Sequence, residues 1–264
     1  MNTDQIDLQG KIAIVTGASR EIGAAMAEAL AAAGATVLVA HYAEPERAAA
    51  VVERITGVGG NAVAYEADCS SVAANQALVA RAIELFGRLD IFAANAGITA
   101  GKPFLETDEA TWNTVANLNL KGSYFGAQAA ARQMIAQGGA KADGYGGRII
   151  FSSSVTGVQA VPDLSAYGVT KAGLIHMARV LGVELGRYGI TVNALGIGAI
   201  VNERNLSGDP AYDQHWGEIV PIGRVGYPSD VAAALMFLVS PAASMINGHT
   251  LMVDGAWTAY SPLP

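Results

Sequence analysis

The chain has 264 residues and a formal net charge of −7, with 16 basic against 23 acidic residues. It is 52% hydrophobic and only 15% charged, so it can bury a large core, and intrinsic disorder is excluded. An acidic chain without a cluster of Lys and Arg argues against a nucleic-acid partner. The single cysteine, Cys69, cannot form an internal disulfide, and the scattered histidines predict no metal site.

No segment predicts a membrane span or a secretion signal. The longest apolar stretches, residues 29–40 and 231–239, are shorter than the roughly 20 residues that a spanning helix needs. The start of the chain, from Met1 to Asp4, lacks the basic region of a signal peptide. We therefore expect a cytoplasmic protein without a membrane partner.

Short apolar strands alternate with helices along the chain. Strands are predicted at residues 11–16, 36–40, 62–65, 89–94, 148–152, 191–195 and 250–253. Helices are predicted at residues 22–33, 45–55, 72–86, 108–134, 165–187 and 229–239. Because the strands are continuously apolar, we predict an α/β fold: a doubly wound parallel sheet, or Rossmann fold, with helices on both faces. We expect residues 1–264 to form a single domain, with a polar, irregular substrate loop at about residues 196–227.

A glycine-rich turn joins the first strand to the first helix. The segment TGASREIG, residues 16–23, would expose backbone N–H groups and a helix N-terminus, where a pyrophosphate binds. Gly17 permits the tight turn, and Gly23 lets the helix pack closely on the strand. Ser19 and Ile22 lie in the same turn. Two glycines at this spacing also occur in ordinary turns, but their place directly after the first buried strand favours a dinucleotide site.

Small and polar residues follow the third and fourth strands. Asp68 and Cys69 come after the third strand, and Asn95, Ala96 and Gly97 close the fourth. Each of these residues also fits a structural role at the end of its strand. For Asn95, a structural role that braces the sheet is an equally open interpretation.

Tyr167 and Lys171 stand four residues apart in the predicted helix 165–187, which places them on one face. A nearby ammonium stabilises a phenolate, so the phenol can exchange a proton near neutral pH. Ser154, after the fifth strand, would fix a substrate oxygen, and Asn119 places an amide inside the predicted long helix. Each residue alone also fits a structural role, such as a surface Tyr–Lys pair or a strand-end cap.

Taken together, these motifs resemble the short-chain dehydrogenase/reductase family over essentially the whole chain. The segments PIGRVG at 221–226 and DGA at 254–256 are similar to the PxGRxG and DGG of that family. The resemblance implies hydride transfer between a nicotinamide and a carbonyl or alcohol carbon. It implies that Tyr167 is the general acid/base and that Ser154 orients the substrate oxygen. It also implies that Lys171 stabilises the phenolate and holds the nicotinamide ribose, and that Asn119 supports a water-linked proton relay.

The resemblance also implies a set of residues against the cofactor and a homo-oligomer, commonly a tetramer built on the two long helices. The expected cofactor contacts are Gly17, Ser19, Arg20, Ile22, Gly23, His41, Asp68, Cys69, Asn95, Ala96, Gly97, Tyr167, Lys171, Gly198 and Ile200.

The second strand and the glycine turn bear on the choice between NAD and NADP. His41 ends the strand where an NAD enzyme usually offers Asp or Glu. Arg20 stands where NADP-using relatives often place a cation for the 2′-phosphate, so NADP is favoured over NAD. The alternative is that Arg20 is a solvated helix-start cation and that Glu44 binds the ribose.

The chain departs from the family pattern at two turns. Glu21 replaces the middle glycine of the cofactor turn, and we expect it to have a negative φ and an outward carboxylate. The family's PG after the sixth strand appears as Ile197-Gly198, which predicts a more mobile loop. Asn202 stands where a threonine commonly meets the nicotinamide carboxamide.

The polar loop suits a small polyhydroxylated substrate, such as an aldose. Ser154, Gln159, Tyr167 and Asn205 are the predicted substrate contacts. Solvent-facing side chains would explain the same polarity. A 3-oxoacyl-carrier-protein reductase is the enzymatic alternative, but the acidic chain offers no obvious basic patch for an acidic carrier. A catalytically silent cofactor-binding scaffold is the alternative from another class, kept open by Glu21 and Ile197.

Overall fold

The computed structural model describes residues 6–139 and 144–261, so the expectation for the segment from Met1 to Asp4 lies outside the described residues. The strands are β1 (Ile12–Thr16), β2 (Thr36–His41), β3 (Asn61–Glu66), β4 (Ile91–Ala94), β5 (Gly147–Ser154), β6 (Ile190–Ile197) and β7 (Thr250–Val253). They form one parallel sheet in the order β3-β2-β1-β4-β5-β6-β7. The predicted α/β fold with a doubly wound parallel sheet is confirmed.

Helices connect the successive strands. They are α1 (Glu21–Ala32), α2 (Pro45–Gly57), α3 (Val72–Phe86), α4 (Glu109–Ala116), α5 (Ser123–Ala136), α6 (Ser165–Gly186), α7 (Glu203–Gly208), α8 (Tyr212–Ile219) and α9 (Pro228–Val239). The sequence sets several of their ends. Pro45 and Pro228 begin helices, where a missing N–H costs nothing. Ser71 caps α3 by accepting a hydrogen bond from the Ala74 N–H, and Gly87 ends it at φ 78°.

Two apolar cores fill the space between the sheet and the helices. On one face, α1, α2 and α9 pack against alternate strand residues such as Val15 and Val37. On the other face, α3, α5 and α6 cover Ile14, Phe92 and Phe151. Because both faces are covered, the central strands β1, β4, β5 and β6 are buried along their whole length, whereas β3, at one edge, is partly exposed. No helix among the described residues is long and apolar enough to cross a bilayer.

The predicted long helix at 108–134 is not one regular helix. A π-helical segment, Asn117–Gly122, separates α4 from α5. A Cβ at Gly122 would collide with the backbone carbonyl of Cys69, so this wide turn lies directly against the chain after β3. Helical periodicity in sequence does not reveal such a local insertion, because the flanking turns keep their usual spacing.

The expectation of an irregular substrate loop is wrong in one respect, because residues 196–227 contain α7 and α8. The Asn202 side chain caps α7 by accepting a hydrogen bond from the Asn205 N–H at 2.8 Å. β6 continues to Ile197, which pairs with Ser154 and Val253, so the loop leaves the sheet later than predicted. An isolated bridge between Ile200 and Gly226 closes its base.

Candidate active site

A cavity of about 910 Å³ opens at the carboxyl ends of the strands, where the chain order reverses between β1 and β4. Thr16, the last residue of β1, ties this edge together. Its Oγ1 donates to the Ala93 carbonyl at 3.3 Å and accepts from the N–H groups of Asn95 and Ala96, both at 2.9 Å. The ends of the two strands are therefore held side by side at the floor of the cavity.

Glycines and Asn95 shape the turn that enters α1. Gly17 has φ 62°, and a Cβ there would come 3.0 Å from the Ala96 Cα. A Cβ at Gly23 would collide with the Gly17 carbonyl. Asn95 donates to the carbonyls of Thr16 and Gly17 at 3.1 and 3.2 Å, so the bracing role considered for it is present in the structure.

The turn and the cavity fit a dinucleotide. Arg20, the N-cap of α1, makes no capping hydrogen bond with its side chain, and the first N–H groups of a helix attract an anion such as a pyrophosphate. Only glycine leaves room for this close packing of turn, helix and strand at Gly23. The cavity extends from His41 and Asp68 at one side of the switch point to Tyr167 and Lys171 at the other.

Glu21 has φ 51°, so the expectation of a negative φ is wrong. The turn fixes a left-handed backbone at this position, which costs a residue other than glycine roughly 1–2 kcal/mol. Its carboxylate Oε1 accepts a hydrogen bond from the Glu203 N–H, at 2.8 Å. The side chain therefore reaches the substrate loop, while Glu21 itself still borders the cavity.

Glu44 lies beside the expected position of the adenosine ribose. The Ser19 hydroxyl donates to its carboxylate, and Arg20 Nε lies 3.5 Å from Glu44 Oε1. His41, at the end of β2, lines the same part of the cavity and is buried. The structure thus pairs the cation expected to bind a 2′-phosphate with the carboxylate of the alternative interpretation.

Asp68 and Cys69 follow β3 and also line the cavity. Asp68 Oδ1 accepts hydrogen bonds from the Ser70 N–H at 2.9 Å and the Ser70 hydroxyl at 2.7 Å. Burial, with a smaller contribution from Asp68, raises the pKa of the Cys69 thiol to about 12. Cys69 therefore contributes shape to the cavity and no reactive thiolate.

Lys171 and Tyr167 lie on the face of α6 that borders the cavity. Lys171 Nζ donates to the Ser152 carbonyl at 2.7 Å and lies 5.3 Å from the centre of the Tyr167 ring. Ser153 donates its hydroxyl hydrogen bond to the Lys171 carbonyl, so β5 holds this turn of α6 from both directions. The buried ammonium is thereby fixed beside the phenol.

Ser154 is the last residue of β5 and lines the cavity with Tyr167. Its Oγ accepts a 3.2 Å hydrogen bond from the Thr156 N–H, which orients the hydroxyl. The remaining hydroxyl hydrogen is free to bind an oxygen in the cavity. The strand end and the helix thus present a serine hydroxyl, a phenol and an ammonium together.

Asn119 is fully buried in the π-helical segment and does not line the cavity. Its amide Nδ2 donates to the Ile98 carbonyl at 2.9 Å and to Thr170 Oγ1 at 3.3 Å. Asn119 therefore connects the chain after β4 with α6, next to the catalytic candidates.

All the residues expected against the cofactor border this one cavity. They are Gly17, Ser19, Arg20, Ile22, Gly23, His41, Asp68, Cys69, Asn95, Ala96, Gly97, Tyr167, Lys171, Gly198 and Ile200. Of the expected substrate contacts, Ser154, Tyr167 and Asn205 border it, whereas Gln159 is exposed outside it. Asn205 donates its amide to the Ile200 carbonyl at 3.1 Å, so it also shapes the loop.

Sequence reasoning missed part of the lining. Asn113, Thr114 and Asn117 face the cavity from α4 and the start of the π-helical segment. The four-residue spacing of Asn113 and Asn117 is a helical signal that could have found them. Within the described residues, no group of three or more His, Cys, Asp or Glu could hold a metal ion.

Comparison with known proteins extends the resemblance. A family model described as enoyl-(acyl carrier protein) reductase matches residues 17–258. The chain is 34% identical to 2-dehydro-3-deoxy-D-gluconate 5-dehydrogenase of Dickeya dadantii over 98% of this chain and 100% of that protein. It is 39% identical to L-rhamnose 1-dehydrogenase (NAD(P)(+)) of Azotobacter vinelandii, over 93% and 95% of the two chains. A short-chain dehydrogenase of Burkholderia cenocepacia, solved in complex with NADP, superposes with a TM-score of 0.86 at 36% identity, over 94% and 98%.

Proposed function

Because the chain belongs to the short-chain dehydrogenase/reductase family of NAD(P)-dependent oxidoreductases, we propose that it interconverts a hydroxyl and a carbonyl group of a sugar or sugar acid. The observation that carries this proposal is the placement of Ser154, Tyr167 and Lys171 on one cavity with the glycine turn. Polar side chains of α4 and α7 line the same cavity, which suits a polyhydroxylated substrate. The relatives from Dickeya dadantii and Azotobacter vinelandii are named as dehydrogenases of a sugar acid and of a sugar.

We assign the roles in the reaction as follows. The nicotinamide, when bound, accepts or donates the hydride. Ser154 donates a hydrogen bond to the substrate oxygen and fixes its position. Tyr167 takes the hydroxyl proton during oxidation and returns it to the carbonyl oxygen during reduction. Lys171, held by the Ser152 carbonyl, stabilises the phenolate and contacts the nicotinamide ribose.

We assign the roles of the glycine turn, Asn95 and Asn119 from their hydrogen bonds in the structure. The turn from Gly17 to Gly23 binds the pyrophosphate, and Asn95 keeps the turn in shape. Asn119 acts through the peptide of Ile98 and through Thr170 rather than by direct contact with the cavity. Its place in a proton relay is a proposal that these contacts support.

We also propose that NADP is preferred over NAD. Arg20 supplies a cation at the cavity, and the end of β2 carries His41 rather than an acidic residue. Glu44 opposes this preference, because its carboxylate is paired with Arg20 and would repel a 2′-phosphate. We therefore expect a preference for NADP of no more than about tenfold, since one competing charge is worth on the order of 1 kcal/mol near a surface.

We propose further that the chain is one domain that assembles as a homotetramer in the cytoplasm. Apolar side chains are exposed on the helices expected to form the assembly, including Trp112, Tyr124, Val169, Val180 and Val183. The lone buried thiol of Cys69 suits a reducing compartment. Light scattering on the purified protein measures the assembly, and a monomer would contradict it.

A substrate panel tests the proposed activity. Purified protein is mixed with NADP or NAD and with neutral aldoses or sugar acids, and the absorbance of the reduced nicotinamide is followed. In the reverse direction, the reduced cofactor is mixed with an acetoacetyl thioester, a 3-oxoacyl substrate of the type expected for the carrier-protein reductase alternative. Oxidation of a sugar or sugar acid supports the proposal. Reduction of the thioester alone would contradict it.

A further inference from the structure

Glu21 joins the glycine turn to the substrate loop. Its carboxylate Oε1 accepts the 2.8 Å hydrogen bond from the Glu203 N–H, although the two residues are 182 positions apart in the chain. Glu203 is the first residue of α7, and an N–H at that position has no acceptor within its own helix. A carboxylate from another part of the fold therefore satisfies the helix start.

Arg47 holds the same residue from a second direction. Its guanidinium, on α2, donates to both carboxylate oxygens of Glu203, at 3.1 and 2.9 Å. This fork geometry fixes orientation as well as distance. The hydrogen bonds hold the pKa of the Glu203 carboxyl below its usual value and raise that of Arg47. The backbone and the side chain of Glu203 are thus both bound by residues outside the loop.

The backbone of Glu21 makes this contact unusual. Its φ of 51° lies in the region that favours glycine, so a side chain at this point of the turn is strained. Its side-chain carboxylate is hydrogen-bonded to the loop. The contact also directs the carboxylate at a helix start, where a negative charge is favourable, instead of leaving it unpaired beside the pyrophosphate site.

The hydrogen bond between Glu21 and Glu203 joins two segments that both line the cavity. Asn202, Arg204 and Asn205 border the cavity from α7 and its N-cap, while the turn around Gly17 borders it from the other side. The bridge between Ile200 and Gly226 fixes the base of the loop. With Glu203 bound to Glu21 and Arg47, the start of α7, just beyond this bridge, is fixed as well.

We propose that Glu21 and Arg47 are positioning residues that latch α7 onto the cofactor turn, so that the order of the substrate loop depends on the turn that binds the dinucleotide. The link to substrate binding rests on the proposed function. The order of the loop itself does not, and it is measurable without turnover.

Hydrogen exchange of the intact, cofactor-free protein tests the latch, comparing wild type with Glu21→Ala, Glu21→Gln and Arg47→Ala. Loss of a charge-assisted hydrogen bond should speed exchange of the amides of residues 202–208 by about tenfold in Glu21→Ala. Glu21→Gln keeps an acceptor and should show a smaller increase. The matched control is Glu28→Ala, which breaks an exposed ion pair of 2.7 Å between α1 and α2. It should leave residues 202–208 unchanged.

Two further measurements separate a latch from a general structural role. Glu21→Gly and Glu21→Ala both lose the latch, so exchange of the loop should rise in both. Glu21→Gly also relieves the backbone strain, so it should melt at a higher temperature than Glu21→Ala. With the substrate found by the panel and saturating cofactor, Arg47→Ala should raise the substrate KM by about threefold and change kcat by less than about twofold, because Arg47 does not border the cavity.

Unchanged loop exchange in Glu21→Ala, or an equal increase in Glu28→Ala, would overturn the latch. If loop exchange responds as expected but no sugar or sugar acid is turned over, the latch stands and the proposed function fails.

Discussion

Asn119 and the peptide of Ile98 hold each other through two hydrogen bonds. Asn119 Oδ1 accepts from the Ile98 N–H, and Asn119 Nδ2 donates to the Ile98 carbonyl, both at 2.9 Å. The π-helical segment is what carries this side chain inward, and Ile98 borders the cavity. One buried side-chain amide therefore satisfies both backbone polar groups of Ile98, a residue that borders the cavity.

Replacing Asn119 with Ala should destabilise the protein and reduce turnover. The substitution removes both hydrogen bonds to the Ile98 backbone, which are part-buried, at a cost of about 1 kcal/mol for each bond lost. Urea unfolding measures this loss. Asn113→Ala is the control, because Asn113 is exposed and should change stability by less than about 0.5 kcal/mol. Equal stability of the two variants would contradict the role given to Asn119.

Tyr167→Phe should bind the dinucleotide but lose turnover. The substitution removes the hydroxyl to which we assign the proton exchange with the substrate, and it keeps the ring beside Lys171. Loss of a general acid/base lowers kcat by about a hundredfold to ten-thousandfold. Cofactor binding, followed by fluorescence of the reduced nicotinamide, should stay within about threefold of wild type, since the phenol adds little to ground-state affinity. Turnover equal to wild type would exclude Tyr167 as the acid/base.

Arg20 should favour NADP and Glu44 should favour NAD. Glu44→Gln removes the carboxylate that is paired with Arg20 and should raise the ratio of kcat/KM for NADP over that for NAD by about tenfold. Arg20→Ala should lower the same ratio, because it removes the cation at this end of the cavity. The control is Arg54→Ala, which lies in the exposed pair with Glu28. An unchanged ratio in both variants would exclude this pair from cofactor selection.

The part of the candidate site that the sequence could predict consists of residues that lie close together in the chain. The spacing of Tyr167 and Lys171 is a property of a single helix, and the glycine turn is a short continuous segment, so both are visible without the fold. Ser154 was predictable because the carboxyl end of a parallel strand is a general position for ligands.

The rest depends on contacts between distant segments. The π-helical turn around Asn119 lies where Gly122 meets the Cys69 carbonyl, which periodicity does not reveal. The φ of Glu21 is fixed by the turn geometry, and its hydrogen bond joins residues 182 positions apart. Arg47 and Glu203 are separated by 156 positions, so no sequence window contains both.

Cys69 should react slowly with thiol reagents in the folded protein. Burial raises its pKa from 9.0 to about 12, so the thiolate fraction near neutral pH falls on the order of a thousandfold. Labelling with a disulfide reagent should be slow in buffer and complete in urea. Because Cys69 is the single cysteine, the signal needs no correction for other thiols. Rapid labelling in buffer would show that the wall of the cavity opens readily.

The substrate loop should loosen as the pH rises, through the pair of His215 and Asp209. His215 Nδ1 lies 2.8 Å from Asp209 Oδ2, and this hydrogen bond is the main cause of a raised pKa of the imidazole, with smaller contributions from Glu218 and Asp213. A histidine whose pKa is raised on folding stabilises the fold fully below its unfolded pKa, near 6.5. The contribution is lost as the pH rises through the folded pKa.

Hydrogen exchange of residues 209–219, corrected for the intrinsic pH dependence, should therefore be slower at about pH 5.5 than at about pH 8.5. His215→Gln should remove the difference, because a neutral amide does not titrate. His176→Gln is the matched control, since it changes the same type of residue on α6, outside the loop. A pH dependence that persists in His215→Gln would assign the effect to another group. If the pH dependence disappears in this variant, the ion pair of His215 and Asp209 stabilises the connection between α7 and α8.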